Sequence, residues 1–350
     1  MAEVVFADGP TRRQFSVQAL ALAGCARGRH PATLIAPAPL EDLTLAAGGL
    51  QRPEGVAALR DGRLVLSSSE AACTILNTDS SRRSVGRAPA ANGLAIDRRG
   101  GAIIANYGLV TGVPGTLQRV DLQTGAGATL AEAINGRPLV ASNMPALGPD
   151  NEIYCTHSHW RDPFNIGNVE AQGFVYKVAA NGSASLVCDG IRGANGLCFS
   201  ADFRHMFVAR TAAGDVLRLT RAADGRYGRG ERYGPQLGLA PDNLTVSDIR
   251  AMSIAERAGL GHPDGLALDR EGNLWVTLPF AGKIVVLTPA GEKIVVVSDV
   301  EGRKLQSPTN LAFGGPDLRD LYIASLHNNS LWKMRAPIAG LPLPHWRDRA

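Results

Sequence analysis

Cysteine is scarce in this sequence: five residues among 350, Cys25, Cys73, Cys155, Cys188 and Cys198, with no CxxC pair. That scarcity argues against a disulfide framework or a thiolate metal cluster. Cys155 and Cys198 fall in predicted strands and read as small buried thiols. Aromatic residues amount to only 5%, and no basic run interleaves with them, although Lys and Arg number 36 against 32 Asp and Glu for a net charge of +4. A nucleic-acid partner is therefore not expected. No apolar run approaches the ~18 residues of a transmembrane span. No G-x-S-x-G elbow occurs, so nothing points to a serine nucleophile of that type.

What is plentiful is glycine, 40 residues, and proline, 21, a composition suited to many short strands and turns. One stretch shows how they are used. In HPDGLALDREGNLWVT, His262 to Thr277, Leu266 and Leu268 alternate along a strand. The turn Asp269 to Asn273 then reverses the chain into a second strand starting at Leu274. The pattern is written six times, starting at Pro53, Ala91, Ser142, Ala194, Pro263 and Thr309, so successive starts lie 38, 51, 52, 69 and 46 residues apart. Spacings near ~40 to 50 are those of four-stranded propeller blades. The expectation is an all-β, six-bladed β-propeller over residues 41–337, with an N-terminal extension before it and an irregular tail over 338–350. Residues 42–46 are expected to supply the last blade's missing strand, because ring closure removes an exposed sheet edge.

Two segments interrupt the pattern. The longest interval contains Ser247 to Ala258, where Ile249, Met252 and Ile254 fall at helical spacing behind a Ser or Asp cap, predicting one short helix between blades four and five. Residues 1–40 hold Arg12-Arg13, a modestly apolar segment and Leu-Ala-Gly-Cys ending at Cys25. They read either as a twin-arginine-type export signal, leaving the protein periplasmic or lipid-anchored at Cys25, or as an ordinary basic helix on a cytoplasmic protein.

Each copy carries one carboxylate or carboxamide before its first strand: Glu54, Asn92, Asn143, Asn195, Asp264 and Asn310. The first strand of a propeller blade lines the central channel, so one position per blade becomes a ring. The competing reading is a turn, since Asn-Gly and Asp-Gly are common turn formers. Against it, Glu54 is a poor turn residue, and Met144 and Leu311 stand where the glycine should be. Two carboxylates and four amides without thiol or imidazole suit one hard divalent cation, Ca2+ first and Mg2+ or Mn2+ next. Loops after the second strands should surround the ring. They offer Tyr107, His157 with His159 and Trp160, Thr211, Phe280 and His327, a small-molecule pocket's mixture. His157 is the preferred histidine.

PEG at 53–55, ANGL at 194–197, HPDGLALDREGNLWV at 262–276 and TNLAFGG at 309–315 resemble the SMP-30/gluconolactonase/LRE-like family, over about Leu43 to Arg335. The resemblance implies a divalent metal, usually calcium and sometimes Zn2+ or Mg2+, held by Glu54, Asn195 and Asp264. Asn143 matches a further asparagine that ligates metal or contacts substrate. Asp264 matches the usual catalytic base, and Glu54 is the second catalytic candidate. Asn92, Tyr107, His157 and Asn310 are the candidate substrate contacts. Sugar-lactone hydrolases of the family often carry Asn-Asp in the third-blade motif with an arginine shortly before it; Ala141-Ser-Asn-Met-Pro145 departs from that. The leading expectation is a metal-dependent lactone or ester hydrolase. The alternatives are a phosphotriesterase-type or non-hydrolytic enzyme on the same ring, and a non-catalytic calcium- or ligand-binding propeller.

Overall fold

The computed structural model describes residues 34–347, Arg161 and Arg229 excepted. The N-terminal signal reading and Cys25 lie outside those residues. The described chain forms six four-stranded antiparallel sheets, in which strands pair with their neighbours in sequence except where the sixth closes the ring, plus one two-stranded ribbon. Blades one to five use consecutive strands. Blade six is built from Pro308–Gly314, Asp320–Ser325 and Ser330–Arg335, and its outermost strand is Thr44–Ala47 from the start of the propeller. The pairing Thr44↔Lys333, Leu45↔Trp332 and Ala47↔Leu331 fixes the closure, as expected for residues 42–46.

Closure rests on packing between blades. The buried apolar residues divide into clusters that each join two neighbours: Val65, Ile75 and Ile104 between blades one and two, for example, and Trp275, Val286, Phe313 and Ile323 between five and six. Central strands are buried along their whole length, as in Leu274–Leu278, because both faces meet a neighbouring sheet. Outer strands such as Arg82–Val85 are exposed except at one end, and their charges guard the edge.

The insertion differs from the single helix expected. It forms α1, Val246–Ala251, and α2, Ile254–Ala258. Each starts at its own capping box: Thr245 with Asp248, and Ser253 with Glu256. Ser253 adopts an extended backbone to cap α2, and that breaks the helix the periodicity suggested. The insertion pairs with the loop 158–172 of blade three, through Gly167 N–H to Leu244 C=O (2.9 Å) and Val246 N–H to Phe164 C=O (2.8 Å). Trp160, Ile166, Leu244, Ile249 and Leu260 form a buried cluster beneath. A roof therefore stands over one end of the channel. The described tail is ordered as well. It includes a 3-10 turn, Pro344–Trp346, and the Trp346 indole N–H bonds to the Ala58 carbonyl (2.9 Å), so the tail crosses the other end.

Candidate active site

The start of each first strand is irregular where the ring residue stands. In blades two, three and four the ladder is interrupted between Ala91 and Leu94, Ser142 and Pro145, and Ala194 and Leu197. In blades one and five, Glu54 and Asp264 precede the first paired residues, Val56 and Leu266. An extra residue outside the ladder re-aims a side chain, here into the channel. Blade six breaks the pattern, because its irregularity falls between Pro308 and Asn310. Thr309 therefore reaches the upper cavity while Asn310 turns away, its Oδ1 accepting from Leu311 N–H (2.7 Å) and its amide nitrogen near Met144 Sδ.

The glycines beside the ring serve close approach, since none of Gly55, Gly93, Gly196 or Gly265 has positive φ. A Cβ on Gly196 would stand 2.0 Å from the Asp264 carbonyl oxygen, and one on Gly93 2.3 Å from that of Asn143. Each blade thus presses its backbone against the next. Polar links then run round the whole circle. Arg52 donates to Asn92 Oδ1 (3.1 Å), Asn92 to Asn143 Oδ1 (3.0 Å), and Thr156 Oγ1 to the Asn195 carbonyl (2.6 Å). Thr211 bonds the Pro263 carbonyl (2.7 Å), Thr277 that of Thr309 (3.0 Å), and Thr309 that of Glu54 (3.1 Å).

Above this ring lies a cavity of about 790 Å³ lined by Glu54, Asn92, Tyr107, Asn143, Asn195 and Asp264, with Trp160, Thr211, Phe280 and His327 from the surrounding loops. Six of the eight candidate residues are thereby brought together. Asn310 is one exception and His157 the other. His157 is buried outside the cavity, stacked on Phe174 at 4.3 Å, with Nε2 accepting the backbone N–H groups of Val140 and Ala141 at 3.1 Å each. Burial pushes it down to about 3, so it is a neutral structural pin.

Glu54 and Asp264 are both buried, and both carboxyls are held above the usual range. For Glu54 the cause is burial, opposed by Arg52. For Asp264 it is burial and then the Glu54 charge, opposed by Arg52 and by a hydrogen bond from Asn195. The Arg52 guanidinium stands 3.6 Å from Glu54 Oε2, within ion-pair range but too far to hydrogen-bond, so that oxygen has no hydrogen-bond partner. Asn195 donates its amide to Thr211 Oγ1 (3.1 Å), and its Oδ1 is likewise unpartnered. Buried acceptors without donors are costly unless something positive meets them. A hard cation fits this donor set. Among the described residues no group of three or more His, Cys, Asp or Glu converges, so the donors on offer are two carboxylates with amide oxygens. Asn143 is tied on both sides, donating to Ser158 Oγ (2.9 Å) and accepting from Asn92, which leaves its oxygen one free lone pair.

Among the cavity residues not anticipated are three arginines and a histidine. Arg52 directly precedes the first motif; Arg250 and Arg257 sit on the insertion. His262 also lines the cavity. Its Nδ1–H donates to the Thr211 carbonyl (2.8 Å), its buried Nε2 has no partner, and burial lowers its pKa despite that bond. It therefore presents an acceptor nitrogen two residues before Asp264.

Comparison with known proteins places the chain among related propellers. A gluconolactonase of Zymomonas mobilis is 22% identical over 249 residues, 69% of this chain and 62% of that protein. The chain spans less than two thirds of the length of the curated relatives it matches first. Among solved structures, a gluconolactonase of Xanthomonas campestris superposes with a TM-score of 0.63 at 20% identity, covering 84% of this chain and 89% of that one. A calcium-binding protein, regucalcin, of Agrobacterium tumefaciens does so with 0.63 at 18%, covering 85% and 95%. These structures share the fold. The SMP-30/gluconolactonase/LRE-like region matches residues 52–327, and by that match the chain belongs to the SMP-30/gluconolactonase/LRE-like family.

Proposed function

We propose that this protein is a divalent-metal-dependent lactonase, calcium being the first choice, that opens a sugar-type lactone. The observation that carries the reading is the convergence of buried Glu54 and Asp264 with the unpartnered oxygens Glu54 Oε2 and Asn195 Oδ1 at the floor of one cavity. Glu54, Asn195 and Asp264 would hold the cation, with the free lone pair of Asn143 beside them. When bound there, it supplies a Lewis acid that polarises a lactone carbonyl and offsets the two carboxylates.

The chain's own groups do the rest. Asp264, kept ionised once its neighbourhood is neutralised, takes a proton from water as that oxygen attacks the carbonyl carbon. The ring C–O bond breaks, the leaving oxygen takes up a proton as the alcohol, and the carbonyl carbon ends as a carboxylate. Arg52 favours the ionised form of Glu54 against the effect of burial and, through Asn92 and Asn143, holds the amides in one orientation. The unprotonated Nε2 of His262 can accept from a substrate hydroxyl. Trp160, Phe164 and Phe280 wall the cavity and limit bulk water. The name of one relative, gluconolactonase, supports the substrate class, and that of a structural neighbour, a calcium-binding protein, the choice of metal.

The test is a panel of aldonolactones, aliphatic lactones, aryl esters and phosphotriesters, followed by pH indicator or product release. Chelator-treated protein is assayed before and after Ca2+, Mg2+, Mn2+ or Zn2+ is restored. Turnover confined to lactones and dependent on metal supports the proposal. Phosphotriester hydrolysis alone, or tight metal binding with no turnover at all, rejects it.

A further inference from the structure

Two of the cavity's three arginines stand without a carboxylate partner among the described residues. The cavity lining includes seven charged side chains: Arg52, Glu54, Arg250, Arg257, Asp264, Asp299 and Glu301. Arg52 faces Glu54. The Asp299 carboxylate accepts the backbone N–H groups of Arg303, Lys304 and Leu305 at 3.0, 2.6 and 2.7 Å. Glu301 pairs with Arg303 at 3.3 Å. Asp264 stands at the floor beside Glu54, and of the arginines Arg250 and Arg257 are left. Among the described residues neither guanidinium has a carboxylate partner or a hydrogen-bond acceptor, and Arg257 Nε is a buried donor with nothing to donate to.

Both come from the insertion, Arg250 from the last turn of α1 and Arg257 from that of α2. The insertion is held as a wall. Two capping boxes fix its helix starts, Ile249 is buried in the roof cluster, and Lys283 Nζ donates to the Ala258 carbonyl at the end of α2 (2.6 Å). The guanidinium forks are thus carried on a fixed support. Between them and the floor, the walls are Trp160, Phe164, Ile249 and Phe280. Arg250 is exposed, whereas Arg257 is half-buried with its Nε shut off from solvent, so an acceptor gains most at Arg257; the five donors of each guanidinium match an oxyanion in two-pronged fashion.

We infer that Arg250 and Arg257 form an oxyanion subsite, and that the preferred substrate is a lactone carrying a second, anionic substituent such as a sulfonate, phosphate or carboxylate at the end remote from its carbonyl. The inference rests on the lactonase reading for the reacting end of the substrate only. Arg250 and Arg257 are specificity-determining residues, remote from the bond that breaks. A cavity of about 790 Å³ holds a six-carbon sugar acid with its substituent and some water.

The test uses a matched pair, glucono-1,5-lactone and its 6-deoxy-6-sulfonate analogue, since a sulfonate adds charge without chelating the metal strongly. The wild type should process the sulfonated lactone with ~10- to 100-fold higher kcat/KM, as charge-assisted hydrogen bonds imply. The double variant Arg250→Gln/Arg257→Gln should lose that preference, falling about 100-fold on the sulfonated lactone and less than about 3-fold on the neutral one. Its melting temperature should match the wild type, which separates loss of the subsite from loss of the fold. Calorimetry with the two open-chain acids reads the subsite without turnover. Tighter binding of the sulfonated acid by the wild type alone supports the subsite even if no lactone is hydrolysed, an outcome that rejects only the lactonase reading. Equal affinity for the two acids, or a preference surviving in the double variant, overturns it.

Discussion

Gly196→Ala is the substitution in which packing and site chemistry meet. A Cβ at this position would lie 2.0 Å from the Asp264 carbonyl oxygen and 3.1 Å from its carbonyl carbon. Ordinary carbon–oxygen contacts are ~3.3 Å or longer, so about 1.3 Å must be found by moving blade four or blade five. Both are locked by the Thr211 and Thr277 links. Overpacking of this kind costs about 1–3 kcal/mol. The same movement stretches the Gly196 N–H to Asp264 C=O bond (3.0 Å) and leaves buried partners unmet, adding about 1–2 kcal/mol. A melting temperature lower by roughly 3–8 °C follows for a domain of this size. Asp264 is displaced from Asn195, so calcium affinity measured by calorimetry should fall at least about tenfold, the penalty typical of disturbing residues that support a metal ligand. Gly127→Ala is the control. Its Cβ would meet only the Arg119 carbonyl at 4.0 Å, and both properties should stay at the wild-type level. A Gly196→Ala protein that melts and binds calcium like the wild type would refute the claim that these glycines exist for blade-to-blade approach.

His157→Leu should lower stability by about 2–4 kcal/mol, because the backbone N–H groups of Val140 and Ala141 lose their shared acceptor; chemical denaturation measures it, and turnover per folded molecule should be retained. Calcium affinity should rise with pH. The Glu54 and Asp264 carboxyls are raised in the metal-free site, so the cation must displace protons below those raised values, gaining up to about tenfold per pH unit per proton. Calorimetry between pH 5 and 8 reads this, and a flat profile contradicts it. The same shifts set the sign for the metal-free fold: an acid raised on folding stabilises below its unfolded value and loses that contribution as pH rises through the folded one. Metal-free protein should therefore gain most from added calcium at the alkaline end, measured as the difference between its melting temperatures with and without the ion.

The blade count, the closing strand and six of the eight candidate residues were legible because the hairpin repeats and its polar column has one fixed place before each first strand. Alternation and turn residues are local signals, and a ring follows from them by symmetry. What escaped reading depends on register and on contacts between distant segments. Asn310 occupies the column but turns away, since the ladder irregularity in blade six falls at Thr309. His157 ends a strand and Trp160 follows three residues later in the loop, yet only Trp160 enters the cavity, because Phe174 and two backbone amides claim the imidazole. The glycines following the ring residues suggested turns, whereas their use is the approach of a neighbouring blade. Arg250 and Arg257 gave no signal of a site, being ordinary helix-end cations until the roof places them over it.

The most direct measurement pairs a calcium titration with lactone turnover on the same samples of wild type and Asp264→Asn. The wild type should bind one calcium per chain and show turnover that disappears on chelation and returns with the ion, and the variant should bind calcium more weakly and hydrolyse lactone at least ~1,000-fold more slowly. Wild-type turnover indifferent to chelator, or an Asp264→Asn protein that hydrolyses lactone at the wild-type rate, would contradict the proposed function.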